Sequence, residues 1–380
     1  MLFLLILCVT FYVPWFFAES LFAYSEITHY IGIGYVSLFV LSFVLLVYFF
    51  RNIKTNYAFG TRAFALWLTL TVPSIFFFIP GLIYRTLLEN ENLLFIGWGL
   101  AILNFMAMLN GMFFGRWNWK IHAVSPDFEN VPDSLKQLKI VQISDIHVGT
   151  FLNNYKRVEG AIEKINKLEA DYVFFTGDLV NNTASEMDPW ISIFSKIQAK
   201  KGKFSILGNH DYGDYVRWTD ASEKTSNFQK LIDTHKAIGF TPLLNESIEI
   251  EKDVWLLGVE NWGKPPFRQS GDLDKALSNI PEKAFKILLS HDPSHFDFQV
   301  VNKTNIHLTL SGHTHGMQFG IERFGIRWSP VKFRYKKWAG LYRENKQFLY
   351  VNRGFGVLGF PGRVGIFPEI TFFTFQKDEV

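Results

Sequence analysis

Gly208-Asn209-His210-Asp211 places an amide, an imidazole and a carboxylate side by side. The apolar run at residues 204–207 directly precedes it, which predicts that a strand ends here and passes its polar residues to a loop. Asn209 offers a neutral oxygen ligand, His210 can carry a proton near neutral pH, and Asp211 can orient that imidazole. Four residues alone do not complete a site, so other strand ends must supply the remaining parts.

Five polar clusters follow predicted strands, and they hold half of the ten histidines. On extended backbone, residues i and i+2 point the same way, so Asp-x-His or His-x-His can present two ligands from one strand end. The ligands are carboxylate, imidazole and amide without thiolate, which suits Mn²⁺, Fe or Zn²⁺ better than a closed structural zinc site. The glycines that directly precede Asp178, Asn209 and His313 permit tight turns close to an ion. The clusters are Asp145-Ile146-His147, Gly177-Asp178, Gly208-Asn209-His210-Asp211, Ser290-His291-Asp292 and Gly312-His313-Thr314-His315.

Together these clusters supply the parts of a two-metal site. Two cations roughly 3.5–4 Å apart need a bridging anion, and a carboxylate can serve both. They would share a hydroxide able to attack phosphorus in line while neutralising charge on the phosphoryl oxygens. The pattern therefore favours metal-assisted hydrolysis of a phosphoester.

Short apolar runs alternate with helical patterns from residue 139 onward. Residues 139–144, 172–176 and 204–207 read as buried strands, and Val158, Ala161, Ile162 and Ile165 have helical spacing. Later strands are predicted at 254–259, 285–289, 307–310, 348–351 and 370–375. This alternation predicts an α/β domain whose ligands gather at strand ends.

The first 115 residues are different in character, with only four basic and four acidic residues. Apolar runs near 2–18, 31–50, 63–84 and 93–114 predict about four transmembrane helices, because about 20 apolar residues cross a hydrocarbon core of roughly 30 Å. The alternative is a buried helical core. We therefore predict a transmembrane region at 1–115, a linker at 116–138 and a catalytic domain at 139–380.

Loop charges predict the orientation of this multi-pass cell-membrane protein. Arg51, Lys54 and Arg62 lie between the second and third runs, and Arg116 and Lys120 follow the fourth. Because basic residues are retained on the cytoplasmic side, the catalytic domain is predicted to be cytoplasmic.

Composition also limits the partners. A formal net charge of +3 lacks the strong basic balance of a nucleic-acid-binding protein, so no specific nucleic acid is expected. Cys8 is the single cysteine, which excludes an intramolecular disulfide. Between residues 322 and 340, basic and aromatic residues interleave, which fits a surface that rests on anionic headgroups or gathers a charged substrate, or equally a solvated loop.

In order and spacing, the five clusters resemble the calcineurin-like metallophosphoesterases over nearly all of residues 139–375. The stretch from Arg353-Gly354-Phe355-Gly356 through Pro368-Glu369-Ile370 resembles a bacterial membrane-associated subgroup. The resemblance implies a four-layer αββα sandwich of two sheets flanked by helices. Met317 is a departure, since members of this subgroup often carry glycine there.

The same resemblance implies roles for individual residues. His210 would donate a proton to the leaving oxygen, with Asp211 orienting it. Two divalent or trivalent ions would bind, with Mn²⁺ preferred over Fe or Zn²⁺. The first metal would be held by Asp145, His147, Asp178 and His315, and the second by Asp178, Asn209, His291 and His313, with Asp178 bridging.

The sequence thus predicts a membrane-anchored enzyme that hydrolyses a phosphodiester or pyrophosphate bond. The membrane region suggests a phosphorylated, lipid-linked substrate, with superfamily enzymes that cleave UDP-2,3-diacylglucosamine as a precedent by analogy. Two alternatives stay open: a nuclease of the same superfamily, and a non-catalytic membrane scaffold or sensor that keeps the metals for structure.

Overall fold

A computed structural model describes residues 8–51 and 57–375 of the chain. The chain falls into two compact units. The first comprises the residues up to Gly115 together with the short segment Gly359–Val364, and the second comprises Arg116–Leu358 and the residues from Gly365 onward.

The first unit is helical because its sequence is almost uninterrupted apolar residues. Its α-helices are α1 (Val13–Tyr24), α2 (Glu26–Arg51), α3 (Tyr57–Ile83) and α4 (Asn92–Phe113), with π-helical turns at Cys8–Tyr12 and Tyr84–Leu88. Among the described residues, three stretches are long and apolar enough to cross a membrane: Glu26–Tyr48, Gly60–Leu88 and Asn92–Trp117. They overlap the second, third and fourth predicted spans. The first predicted span, 2–18, lies partly outside the described residues.

Close helix packing in this unit centres on Phe77, which is fully buried among Phe16, Leu94 and Ala101. Gly97 makes that approach possible, because a Cβ there would lie 2.7 Å from the Phe77 ring. Small residues at helix contacts are typical of membrane bundles, where packing replaces the hydrophobic effect as the driving force.

The segment Gly359–Val364 packs against the end of α4. The Arg363 backbone N–H donates to the Gly111 carbonyl at 3.1 Å. A Cβ at Gly115 would lie 2.3 Å from the Arg363 carbonyl oxygen, so only glycine fits there. This short stretch, far along the sequence, therefore belongs to the helical unit.

The described residues of the second unit form two six-stranded sheets and a separate two-stranded ribbon. Every strand that precedes a predicted cluster runs parallel to a neighbour within its sheet, so the carboxyl ends of those strands meet at a common edge. The first sheet has the order β1-β14-β2-β3-β4-β5 and the second β12-β13-β9-β8-β7-β6. The strands are β1 (Lys120–Val124), β2 (Ile140–Ile143), β3 (Tyr172–Phe175), β4 (Gly202–Ser205), β5 (Thr241–Pro242), β6 (Glu246–Glu251), β7 (Val254–Gly258), β8 (Phe285–Leu289), β9 (Leu308–Ser311), β10 (Ile321–Arg323), β11 (Ile326–Trp328), β12 (Gly340–Glu344), β13 (Gln347–Val351) and β14 (Glu369–Phe373).

The two large sheets pack face to face, and helices cover their outer faces. Phe174 of the first sheet and Ile287 and Leu310 of the second share the central core and are fully buried. The helices are α5 (Asp133–Lys136), α6 (Tyr155–Asn166), α7 (Ile191–Phe194), α8 (Ala221–Ala237) and α9 (Leu273–Leu277). Helices α6 to α8 pack on the first sheet and α9 on the second. The predicted αββα sandwich is confirmed.

The segment 116–138 differs from its predicted role as a linker. It contributes β1, which pairs in parallel with β14 along the edge of the first sheet, and the short helix α5. The strand was missed because it is an edge strand: Ile121 is exposed and the pattern lacks a buried apolar run.

Candidate metal centre

The loops that follow five strands converge where the edges of the two sheets meet. Asp145 and Asp178 come from the first sheet, after β2 and β3, and His291 and His313 from the second, after β8 and β9. The imidazole of His291 lies 3.2 Å from the Asp178 carboxylate, so the two sheets contribute to the same site. Clusters that are far apart in sequence therefore meet in space, as predicted.

Asp145, His147 and His315 form one group that could hold a metal ion, with ligand atoms all within 4.8 Å of one another. The Nε2 atoms of the two imidazoles are 3.1 Å apart. His315 Nε2 also lies 3.2 Å from Asp145 Oδ1. All three residues are buried, so their polar atoms face each other rather than water.

Asp178, His291 and His313 form a second such group. Asp178 Oδ2 is 3.2 Å from His291 Nε2 and 3.4 Å from His147 Nε2, so the carboxylate stands between the two groups. Asn209 joins the second group, because its Oδ1 lies 2.9 Å from His313 Nδ1. The structure thus brings together all seven residues predicted as metal ligands.

The backbone at these positions is strained. Five of the seven residues have positive φ: 53° at Asp145, 45° at His147, 61° at Asp178, 70° at His313 and 50° at His315. The predicted extended geometry for Asp-x-His and His-x-His is therefore wrong, and left-handed turns aim these side chains instead. Non-glycine residues rarely adopt this conformation, and such strain concentrates at functional sites.

Three glycines allow the loops to close around the site. A Cβ at Gly208 would lie 2.2 Å from Asp178 Oδ1, and one at Gly312 would lie 1.9 Å from Ser144 Oγ. A Cβ at Gly356 would lie 2.0 Å from the Ile146 carbonyl oxygen. Gly356 belongs to the Arg-Gly-Phe-Gly stretch, which is thereby tied to the Asp145 loop.

The predicted contact between Asp211 and the His210 ring is wrong. His210 Nδ1 lies 2.7 Å from the Asn181 carbonyl oxygen, which fixes the ring. Within the described chain, the Asp211 carboxylate instead accepts hydrogen bonds from the backbone N–H groups of Gly208, Asp178 and Leu179, each at 2.9 Å. Asp211 therefore shapes the loops that carry Asp178 and Asn209, because its short side chain reaches their backbones.

The chemistry of the donor set fits a metal. His147 Nδ1 and His291 Nδ1 face backbone carbonyls at 3.2 and 2.7 Å, an arrangement that places the proton on Nδ1 and leaves Nε2 as a ligand atom. His291 Nε2 is buried and makes no hydrogen bond within the described chain, despite its 3.2 Å separation from Asp178. A buried nitrogen of this kind is costly unless something binds it.

The site also has strongly perturbed proton affinities. Burial alone would raise the pKa of Asp178, but the imidazoles of His291 and His210 hold it well below its usual range. Burial lowers the pKa of His291, whereas the Asp178 carboxylate more than offsets this and raises it to about 10. Burial and the Asp178 charge raise the pKa of Asp211 to about 7. Buried carboxylates that attract a proton to a neighbouring imidazole also attract a cation, which competes with that proton.

Two tyrosines at the site carried no sequence signal that pointed to a metal centre. Tyr335 Oη lies 2.9 Å from His313 Nε2 and donates to Asp292 Oδ2 at 3.1 Å. Tyr215 accepts a hydrogen bond from Asn209 Nδ2 at 2.8 Å and packs its ring on His210, with centroids 4.4 Å apart. Both tyrosines lie outside the five clusters, and only the folded chain brings them there.

Comparison with known proteins identifies the family. The calcineurin-like phosphoesterase family model matches residues 138–317. The chain is 31% identical over 258 residues to the metallophosphoesterase YkuE of Bacillus subtilis, a match covering 65% of this chain and 82% of that protein. Given this fold, site and similarity, the chain belongs to the calcineurin-like metallophosphoesterases.

Of two further relatives, one is named as a transmembrane protein and the other matches nearly the whole chain. A bovine "transmembrane protein with metallophosphoesterase domain" is 29% identical over 265 residues, which is 66% of this chain but only 56% of that protein. An uncharacterized metallophosphoesterase of Helicobacter pylori strain J99 is 27% identical over 376 residues. This match covers 95% of this chain and 94% of the Helicobacter protein. The similarity to the second protein therefore includes the helical unit.

Proposed function

We propose that this protein is a membrane-anchored, metal-dependent phosphoesterase that hydrolyses a phosphodiester or pyrophosphate bond. The observation that carries the proposal is the position of Asp178, whose carboxylate stands between the imidazoles of His147 and His291 and so links two groups of ligands. Family membership supports the reaction class.

Two metal ions would be held by the predicted ligands. Asp145, His147 and His315 would hold the first, and Asn209, His291 and His313 the second, with Asp178 shared. When bound, a pair of divalent cations neutralises phosphoryl charge and makes a water nucleophilic at neutral pH. The oxygen and nitrogen donors suit Mn²⁺, Fe or Zn²⁺, and we propose Mn²⁺.

His210 would supply the proton to the leaving oxygen. Its ring is fixed by the Asn181 carbonyl and packed between Tyr215 and His147. Burial lowers the pKa of His210 to about 4, and the Asp178 carboxylate offsets only part of this effect. The free ring is therefore neutral at pH 7, and donation requires a bound phosphoryl charge beside the ring to raise that pKa.

The membrane anchor favours a substrate that is itself in or on the membrane, such as a lipid-linked phosphodiester. We propose residues 1–115 as the anchor of a cell-membrane protein, with the catalytic domain in the cytoplasm. Basic residues before the third span and after the last support this orientation. A reporter fused after Val380 should behave as cytoplasmic, and exclusively periplasmic activity of that reporter would reverse the orientation.

The reaction class has a direct test. Detergent-solubilised full-length protein should hydrolyse bis(p-nitrophenyl) phosphate with Mn²⁺ and lose this activity with a chelator. Asp178→Asn should reduce the rate to near the background. Ile248→Ala, prepared in the same way, is the control and should keep its activity, because this exposed residue lies on edge strand β6. Undiminished hydrolysis by Asp178→Asn would contradict the assignment, and no turnover of any phosphoester would support the scaffold alternative.

A further inference from the structure

Residues 321–336, called here the basic hairpin segment, form a projection that belongs to neither large sheet. Within the part of the chain that the structure describes, strands β10 and β11 pair only with each other, and a short 3₁₀ turn at Pro330–Phe333 follows. Two aromatic side chains stand almost free at its tips, with Phe324 96% and Phe333 82% exposed. Exposed large apolar side chains grouped in one projection mark an interaction site.

The turn at the end of this hairpin carries an unsuitable residue for its shape. Arg323 pairs with Ile326, and the two residues between them, Phe324 and Gly325, have φ of 54° and 76°. A two-residue turn with both φ values positive favours Asn-Gly or Gly-Gly, and a bulky aromatic residue is strained in the first position. Asn or Gly would suit this turn better than Phe324, so an exposed phenylalanine at this position indicates a function.

The charges around these tips are not neutralised. Arg323, Lys332, Arg334 and Lys336 are exposed, and no acidic side chain in the described chain lies within ion-pair distance of them. The one acidic residue of the segment is Glu322, whose carboxylate is occupied by Arg327 and Arg353. The segment therefore presents protruding aromatic residues within a field of positive charge.

We propose that the basic hairpin segment docks on an anionic phospholipid surface, with Phe324 and Phe333 entering the headgroup level and the surrounding cations contacting lipid phosphates. Aromatic side chains favour that level of a bilayer, and basic residues beside them add attraction to anionic lipids. The exposed cations around these side chains favour an anionic lipid surface over an uncharged partner surface.

The base of the segment is fixed although its tips are exposed. Glu322 pairs with the buried Arg353, and Tyr335 at the other end reaches His313 and Asp292 in the metal centre. Docking would therefore hold the Tyr335 side of the metal centre at a lipid surface. This consequence rests on the proposed phosphoesterase function, whereas the docking itself does not.

An experiment on the full-length protein tests the docking. In a Cys8→Ser background, Phe324→Cys labelled with an environment-sensitive fluorophore is reconstituted into vesicles of phosphatidylcholine, alone or mixed with phosphatidylglycerol. We expect a blue shift, and quenching by lipid-borne spin labels, in the anionic vesicles. The control label replaces Asp133, whose side chain is 93% exposed on the same unit, and should stay water-like in both.

Charge variants separate the electrostatic contribution. Lys332→Gln with Arg334→Gln should reduce the blue shift and the quenching in anionic vesicles, whereas Lys275→Gln with Lys283→Gln removes the same charge from exposed positions elsewhere and should not. A label at 324 that stays in water, or that responds equally in neutral and anionic vesicles, would overturn the proposal. A response set by protein density instead of lipid charge would assign the segment to a second copy and also overturn it. Because the fluorescence needs no turnover, an inactive protein that docks would contradict only the proposed function.

Discussion

Two buried clusters of charged residues in the second unit have opposite characters. The first, called here the Arg353 cluster, consists of Arg353, Glu369, Tyr350 and Thr371. Glu369 Oε2 accepts hydrogen bonds from the Arg353 backbone N–H at 3.0 Å and from Arg353 Nη1 at 2.6 Å, and its Oε1 accepts hydrogen bonds from Tyr350 and Thr371. In the metal centre, the imidazoles of His147 and His315 instead face each other across 3.1 Å. The Arg353 cluster satisfies its charges within the chain, whereas the candidate metal centre groups side chains that could hold a metal ion.

This difference shows how a structural ion cluster can be told from a site. Buried charges cost stability unless they are paired and hydrogen-bonded, and the Arg353 cluster meets that condition. The candidate metal centre combines left-handed backbone at five of the seven predicted ligands with a buried nitrogen, His291 Nε2, that has no hydrogen bond in the described chain. Strain and an unused ligand atom together indicate that the metal centre is kept for binding.

After the loss predicted for Asp178→Asn, the largest expected effect is on catalysis, from His210→Gln. For a diester with an alkyl leaving group, loss of the proton donor should lower kcat by about 10²- to 10⁴-fold. The loss should be much smaller for bis(p-nitrophenyl) phosphate, because p-nitrophenolate departs without a proton. Steady-state kinetics on the two substrates measure the contrast. Equal losses on both would assign His210 to metal or phosphate binding instead.

The next effect is on stability, from Glu369→Gln. Burial alone would raise the pKa of Glu369, but Arg353 lowers it from 4.5 to about 2. Because the folded pKa is depressed, the carboxylate's contribution is present above pH 4.5 and disappears as the pH falls toward 2. The difference between these two pKa values corresponds to about 3 kcal/mol of folding free energy.

Unfolding of wild type and Glu369→Gln, followed side by side in detergent, checks this value. The difference between the two proteins should be largest near pH 7 and should shrink between pH 4.5 and 2. The variant should keep its metal-dependent hydrolysis wherever it stays folded. A stability difference that does not change over this pH range would show that the Glu369 charge is not what stabilises the cluster.

Metal addition should distinguish the two clusters directly. An ion at about 100 times its dissociation constant stabilises the folded state by about 2.7 kcal/mol if it does not bind the unfolded chain. Mn²⁺ should therefore raise the unfolding temperature of wild type and of Glu369→Gln, but much less that of Asp178→Asn. An equal rise in all three would place the binding elsewhere.

The smallest effect is expected at Met317, next to the metal centre. Its φ is 53° and its side chain is 55% exposed, so glycine would relieve strain with little loss of packing. Met317→Gly should stabilise the protein by up to about 1 kcal/mol. The control Gln229→Gly, at an exposed position within α8, should destabilise by about 1 kcal/mol. Destabilisation by Met317→Gly would show that the side chain makes a contribution of its own.

Much of the fold was predictable because buried strands and amphipathic helices leave periodic patterns. Strands β2, β3, β7 and β8 coincide with apolar runs in the sequence, and α6 buries the residues whose helical spacing predicted it. Edge strand β1 was not predictable, since it is half exposed and carries no apolar run. The first predicted span extends into residues 1–7, outside the described chain.

At the site, residue types and their order predicted which side chains would meet, because metal chemistry restricts which side chains can serve and strand ends restrict where they occur. Only the tertiary structure decided the rest. It showed that Asn181, not Asp211, fixes the His210 ring, that left-handed turns aim the predicted ligands, and that Tyr335 reaches His313 from 22 residues away. These contacts depend on how separate loops meet in space, and no local spacing along the chain records that meeting.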